Sequence, residues 1–248
     1  MEDVHWWFIA RRRILLTILR RYLGAGPADG RRILDVGCGT GTMLTYLATL
    51  GQADGVDIDE EAVGYCHDRG LAQVTQAPAD HLPYDDATFE LVTALDVVEH
   101  IDDDLGVLRE MKRVLKPGGG LLITVPAYRF LWGRQDEINL HKRRYVASEV
   151  RERLRSAGFD VQKLTYMNAL LFPPIAAIRL VRHVLPEPAN PPSDFAFPAP
   201  KPLNRLLSAV FGWERFLLNR FDIPFGVSIM ALAQRPADGA LVPASDRR

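Results

Sequence analysis

The sequence predicts an α/β fold, a mostly parallel sheet with helices on both faces. Three observations carry that expectation. Short apolar runs alternate with amphipathic stretches of helical period, the pattern of strand–helix–strand units. Ile33, Leu34 and Val36 read as a buried strand that runs into Gly37, Gly39 and Gly41, and these open a helix over about Thr42 to Leu50. A second short strand, Ala53 to Val56, ends in Asp57-Ile58-Asp59, with Asp57 twenty residues after Gly37. Glycine permits a tight turn with no side chain in the way. The helix start adds unpaired N–H groups and a positive dipole end, so a ligand can lie against bare backbone. An acid at the end of the second strand is placed for the ribose hydroxyls of an adenosine cofactor.

Asp35, Gly37, Gly39 and Gly41 match the pattern acid-x-G-x-G-x-G. The stretch resembles the first motif of class I S-adenosylmethionine-dependent methyltransferases. A nicotinamide dinucleotide fingerprint places Gly or Ala five residues after its first Gly, where this chain has Thr42. The resemblance implies a Rossmann-like, seven-stranded, mostly parallel sheet with an antiparallel last strand. It also implies S-adenosyl-L-methionine held by Gly37, Cys38, Gly39, Thr40, Gly41, Asp57 and Ile58.

Bulk composition narrows the class. A chain of 248 residues with 48% hydrophobic and 25% charged residues suits one soluble globular domain. The net charge of −1, with no extended basic stripe, argues against a nucleic-acid partner. Two cysteines, Cys38 and Cys66, suggest neither a disulfide framework nor a zinc site, and no metal is assigned. The start Met1-Glu2-Asp3 lacks the layout of a signal peptide, and the apolar run Ala169 to Ile178 is too short to span a bilayer. The expected location is cytoplasmic.

Taken in order, the chain divides into an N-terminal lid helix (1–24), a cofactor-binding core (31–166), a helical insertion (167–222), a last strand (223–235) and a disordered tail (236–248). Val4 to Leu23 reads as an amphipathic helix with Val4, Trp7, Phe8, Leu15, Ile18, Leu19 and Tyr22 on its apolar face. Arg11 falls on that face and needs a partner. Either it reaches water or a surface acid, or it faces the cofactor's methionine carboxylate. His5-Trp6-Trp7-Phe8 is either a hydrophobic anchor or a lid over the site. Family resemblance favours the lid and adds Trp7 to the acceptor pocket.

Glu60 to Arg69 is a helix with acids in its first turn, and Leu71 to Thr75 is the third strand. The stretch from Ala77 to Val92 resembles the family's third motif, in which Ala79 and Asp80 hold the adenine amino group. Relatives carry an acid two residues before Asp80, where this chain has Pro78. Phe89 to Ala94 is the fourth strand. It runs into Leu95, Asp96, Val97 and His100, which resemble the fourth motif and its contacts with the methionyl part. His100 either accepts a substrate proton or caps the following helix. Asp102, Asp103 and Asp104 read as capping that helix, Leu105 to Leu115. Lys116-Pro117-Gly118-Gly119-Gly120 is a sharp turn, typical of the family, into the fifth strand, Leu121 to Val125.

The next stretch, Pro126 to Tyr145, is dense in aromatic, acidic and basic residues and lacks a regular apolar period. It is expected to fold over the mouth of the site. It resembles a bacterial methyltransferase subgroup carrying Leu-Trp, Asp-Glu, then His and Arg-Arg-Tyr. That resemblance makes His141 the first candidate base, ahead of His100, and lines the acceptor pocket with Tyr128, Trp132, Asp136, Arg144 and Tyr145. The competing reading is a salt-bridged network of Asp136 and Glu137 with Arg143 and Arg144.

Glu149 to Ala157 is a helix with Ser148 as a substitute cap, and Phe159 to Tyr166 is the sixth strand. Roughly sixty residues then intervene before the seventh, Val227 to Ala233. They hold an apolar helix (Leu170 to Leu185) that Pro173 and Pro174 should break, with a basic later face of Arg179, Arg182 and His183. A Pro-rich coil (Pro186 to Pro202) and a second amphipathic helix (Leu203 to Arg220) follow. The pair is a substrate cap, a homodimer surface or a membrane-surface element, with a mixed cap and dimer role preferred. The expected reaction is methyl transfer to a hydroxyl oxygen of a small or amphiphilic acceptor in biosynthesis. The rivals are nitrogen or carbon methylation of a sugar or lipid-linked intermediate, and a non-catalytic S-adenosyl-binding partner subunit.

Overall fold

The computed structural model describes residues 4–24, 30–184 and 200–237. One sheet holds β1 (Arg32–Val36), β2 (Gln52–Asp57), β3 (Val74–Gln76), β4 (Phe89–Leu95), β5 (Leu115–Pro126), β6 (Asp160–Met167) and β7 (Ser228–Gln234). Their order across the sheet is β3-β2-β1-β4-β5-β7-β6. β1 through β5 pair in parallel, and β7 lies antiparallel to both β5 and β6. This is the Rossmann-like arrangement with a reversed last strand expected from the motifs.

Both faces of the sheet are buried, and the strands alternate accordingly. Leu34, Val36, Leu121, Ile123 and Ala231 join one core cluster. Their neighbours Ile33, Leu122, Met230 and Leu232 join the other. The first face is covered by α4 (Asp104–Val114) and α6 (Ala147–Ser156), through Leu108, Met111 and Leu154. The second is covered by α1 (Trp6–Leu23) and α8 (Lys201–Leu218), through Ile14, Leu15, Leu19, Phe211 and Leu218. The two helices are stitched at one end. Trp6 N donates to Asn204 Oδ1 at 2.8 Å, and Asn204 Nδ2 donates to the Val4 carbonyl at 2.7 Å.

Several boundaries move for identifiable reasons. Val4 is 64% exposed and precedes α1, whose N-cap is His5; the Trp7 N–H donates to His5 Nδ1. α2 (Thr42–Leu47) stops early because Thr49 and Leu50 bond back three residues and tighten into a turn. α3 (Glu60–Asp68) is followed by a turn, so β3 begins only at Val74. The glycine turn at 116–120 lies within β5 as a bulge: Phe89 pairs with Leu115, and Leu91 with Gly120. The cap of α6 is Val146, whose N–H donates to Glu149 Oε2 at 2.9 Å, so Ser148 does not serve.

α7 (Phe172–Val184) is not broken by its prolines. Pro173 and Pro174 sit in its first turn, where the missing N–H groups have no intrahelical partner to lose. Arg179 is buried, not part of an exposed basic face. The side chains of Arg182 and His183, most of the Pro-rich coil and most of the tail lie outside the described residues.

Candidate active site

The site forms at the carboxyl ends of β1, β4 and β5, where ligand crevices of open parallel sheets lie. The glycine turn uses its three glycines for two purposes. A Cβ at Gly37 would come within 2.4 Å of Val97 Cγ2, and one at Gly41 within 2.4 Å of Leu71 Cδ1, so these two are packing glycines. Gly39, at φ +53°, has nothing within 4 Å of such a Cβ and presents open backbone. Asp57 braces the turn: its Oδ2 accepts from the Gly39 N–H at 2.7 Å and its Oδ1 from the Asp59 N–H at 3.0 Å.

Arg11 finds its partners just past the end of β4 and on β5. Its Nη2 lies 2.9 Å from Asp96 Oδ2 and donates to Thr124 Oγ1 at 2.5 Å, while Thr124 donates to Asp96 Oδ1 at 2.9 Å. The guanidinium stands 4.8 Å from the Trp7 ring centroid. Asp96 adopts φ +60°, a strained conformation for a non-glycine residue, held by these contacts. Arg11 thus meets an acid, Asp96, whose side chain is 26% exposed, while its own is 12% exposed. With Phe8 and Leu95 it borders two hollows: one of about 130 Å³ over Gly37, Cys38 and Gly39, and one of about 500 Å³ beyond it.

The larger hollow has an apolar wall of Trp6, Trp7, Phe8, Ile175 and Ile178. α1 thus serves as anchor through residues 10–19 and as cavity wall through its first turn. Opposite stand His100, Asp136, His141 and Arg144. α5 (Arg134–Ile138) places Asp136 at full burial. Asp136 Oδ1 accepts from Arg144 Nε and from His141 Nδ1, each at 2.8 Å. Its Oδ2 accepts from Arg144 Nη2 at 3.0 Å and the Gly133 N–H at 2.9 Å. Burial opposes the charge, but the bonds from His141 and Arg144 outweigh it and hold the carboxyl pKa at about 2. An ionised carboxylate only accepts, so the His141 proton sits on Nδ1 and neutral His141 keeps a lone pair on Nε2.

That Nε2 is 3.9 Å from Glu99 Oε1. Glu99 is fully buried, and neither carboxyl oxygen has a hydrogen-bond partner. Burial, and then the Asp96 charge, push its pKa well up, so the protonated form is favoured. The His100 ring lies 4.8 Å from that of His141, edge-on. Burial, and then His141, lower the His100 pKa from its ordinary value. Glu99, His100 and His141 bring one ligand atom each to within 4.8 Å of one another, a donor set suited to a divalent cation.

The structure gathers Trp7, Asp136, Arg144, His100 and His141 around one cavity, but Tyr128, Trp132 and Tyr145, expected in the same pocket, do not line it. Tyr145 is buried in the core with its hydroxyl donating to Asp104 Oδ2 at 3.1 Å. Tyr128 stacks on Tyr166 at 5.1 Å, and Trp132 faces a separate groove with Arg129 and Lys142. Asp80 and Ile58 are exposed, and Ala79 packs at the edge of the main core cluster. The salt-bridged network also exists in part: Asp136 pairs with Arg144, but Glu137 pairs with Arg134, and Arg143 with Asp104.

Sequence reasoning passed over Glu99, Gln135, Asn139, Asn168 and Arg179, all but Glu99 lining the larger hollow. Glu99 immediately precedes His100, and only the histidine was read as a candidate. Arg179 was read with Arg182 and His183 as a basic face of its helix, and the helix as part of a substrate cap, but not as a residue of the site.

Residues 34–123 match the family model described as a methyltransferase domain. A probable S-adenosylmethionine-dependent methyltransferase of Mycolicibacterium smegmatis is 34% identical over 166 residues, spanning 65% of this chain and 62% of that protein. The 27-O-demethylrifamycin SV methyltransferase of Amycolatopsis mediterranei is 34% identical over 148 residues, spanning 53% and 54%. Both alignments thus cover less than two thirds of the relatives' own length. The solved structure of the [4+2]-cyclase SpnF superposes with a TM-score of 0.57 at 25% identity, covering 90% of this chain and 81% of that one.

Proposed function

The chain belongs to the class I S-adenosylmethionine-dependent methyltransferases, and from that premise we propose that it methylates a hydroxyl oxygen on a small or amphiphilic acceptor. The observation that carries the choice of atom is the Asp136–His141 pair, with Nε2 as the imidazole's free lone pair beside the larger hollow. A hydroxyl is a weak nucleophile until its proton leaves, and a neutral imidazole is suited to take it.

The residues present fit the cofactor. Gly39 offers an open backbone face, Asp57 stands behind it, and Arg11 borders both hollows with a cationic group. When bound, S-adenosylmethionine supplies a methyl group already activated by its sulfonium charge. The protein's own share is alignment and proton handling. Trp6, Trp7 and Ile175 pack the acceptor's apolar part, His141 Nε2 takes the hydroxyl proton, and Asp136 stabilises the imidazolium that results. Arg144 and the Gly133 N–H keep Asp136 ionised throughout. A hollow of about 500 Å³ suits a small molecule. The oxygen named in the rifamycin relative's substrate supports the same reading.

The cyclase SpnF sustains a second reading, a related fold whose named activity is not methyl transfer. One experiment separates them. Methyl-labelled cofactor is offered with panels of phenols, alcohols, amines and carbon acids, to the native protein and to His141→Ala. The oxygen reading expects label in a hydroxyl-bearing acceptor and a loss of roughly 10²–10⁴ in kcat for the variant. Label only in amines, undiminished in His141→Ala, would refute it, and no label with intact cofactor binding would favour the second reading.

A further inference from the structure

α8 has two apolar faces, and only one of them is used. Phe211, Gly212 and Leu218 turn inward onto α1. On the outer side, Leu206, Trp213 and Phe216 are 59%, 53% and 54% exposed. With the exposed Ala209 they follow one another at three- and four-residue steps, a single stripe down the helix.

The charges around the stripe are of one sign. α1 contains five arginines and no acid. α8 carries Lys201, Arg205 and Arg215, and Arg220 follows it. Its one acid, Glu214, is fully buried and accepts from the N–H groups of Asn168 and Leu170. Arg13 and Arg20 of α1 share a shallow cleft with Arg215, so both helices border the stripe with cations. Arg215 also lies over the Phe216 ring at 4.4 Å. The chain as a whole has a net charge of −1, so this basic layer is a segregation of charge and not a general excess.

We propose that the α1–α8 face docks on an anionic lipid surface, with α8 lying in the plane of the interface. Apolar and aromatic side chains at headgroup depth, flanked by arginines whose heads reach the phosphates, are the marks of an interfacial helix. Among the described residues no helix is long and apolar enough to cross a membrane, so the contact is peripheral. A second copy is the weaker occupant. A twofold axis through the stripe would set arginine rims against each other, with no exposed acid on either helix to answer them. The stitch between Trp6 and Asn204 joins the start of α8 to a residue that lines the larger hollow.

The test is flotation of the full chain with phosphatidylcholine vesicles, with and without phosphatidylglycerol, at low and high salt. Binding should require the anionic lipid and weaken with salt. Trp213→Ser with Phe216→Ser should lower the partition coefficient by about tenfold or more, since two interfacial aromatics are lost. The charge-reversed triple variant Arg13→Glu, Arg20→Glu, Arg215→Glu should abolish the preference for anionic lipid. All these positions are on the surface, and unchanged S-adenosylhomocysteine binding would certify the fold. Absence of flotation, or flotation indifferent to both variants, overturns the proposal. So does a dimer that Phe216→Ser converts to monomer without any vesicle binding, or equal affinity for soluble polyglutamate.

Discussion

The two hollows that meet at Arg11 are built differently. On the glycine-turn side the parts lie within a short span of chain, from Asp35 to Asp57, and the backbone does most of the holding: Gly37 and Cys38 N–H donate to the Val56 carbonyl, and Gly39 N–H to Asp57. On the His141 side the walls come from α1, from the loop after β5, from β7 and from α7, and side chains hold one another. The matched methyltransferase domain ends at residue 123, before that loop begins. A surface made of backbone constrains residue type and tolerates little drift. One made of distant side chains can be rebuilt around a new acceptor while the first stays as it is.

The division predicts that lesions on one side spare the other. The largest effect is expected from Asp136→Asn. It replaces one of the two accepting oxygens with an NH2 donor, so His141 Nδ1, Arg144 and the Gly133 N–H cannot all be met, and it leaves Arg144 buried beside a neutral amide. Turnover should fall by roughly 10²–10⁴, and unfolding free energy by about 3–5 kcal/mol, with cofactor affinity retained in the protein that remains folded. Urea titration and calorimetry with S-adenosylhomocysteine read the two sides separately. Loss of cofactor binding in folded protein would erase the division.

Asp57→Ala is the converse. It should weaken S-adenosylhomocysteine by about 1.5–3 kcal/mol, the loss of a charge-assisted bond, and leave turnover at saturating cofactor close to native. An unchanged affinity would remove Asp57 from the ribose.

Glu99 offers a pH test. Its folded pKa is raised, so between the ordinary glutamate value of about 4.3 and the raised one the folded state holds the extra proton. Stability contributed by that proton is lost as pH climbs through this window, with a limiting slope of about 1.4 kcal/mol per pH unit. Glu99→Gln should flatten the loss in unfolding curves taken across the window. A steeper loss in the variant would contradict the assignment.

The smallest effect is expected at Gly133, where an added Cβ would meet Arg179 Nη1 at 2.1 Å. The backbone there is extended, at φ −164°, so any residue can adopt it. Only the end of a flexible side chain must move. Gly133→Ala should cost less than about 1 kcal/mol of stability while raising KM for the acceptor, since Arg179 lines the hollow proposed to hold it. An altered cofactor affinity would tie the two sides together.

What could be read from the sequence follows the same line. The glycine turn and the acid ending β2 were legible, because positive φ and close backbone approach each demand particular residue types; the reversed last strand came from the family resemblance, since strands buried on both faces carry no period-2 signal. Within 126–145, composition identified the important stretch but not its geometry. Asp136 and Tyr145 looked alike as pocket residues, yet one braces His141 and the other donates its hydroxyl to Asp104. Arg11 needed a partner, and only the fold could supply Asp96, which lies 85 residues away in sequence. Arg179 was read as surface charge because a helix wheel cannot say which neighbour will cover it.

The position of β7 between β5 and β6 has a consequence in time. Among the described residues β6 pairs with no strand except β7, and β7 begins sixty-one residues after β6 ends. At roughly 5–20 residues per second of synthesis, the ribosome needs about 3–12 s to deliver it. During that interval the far edge of β5 and both edges of β6 stand open. The glycine turn and its strands can already be in place, but the wall around His141 cannot close. A chaperone that covers sheet edges would find its client in that window, and stalling translation after α7 should leave a product that binds it.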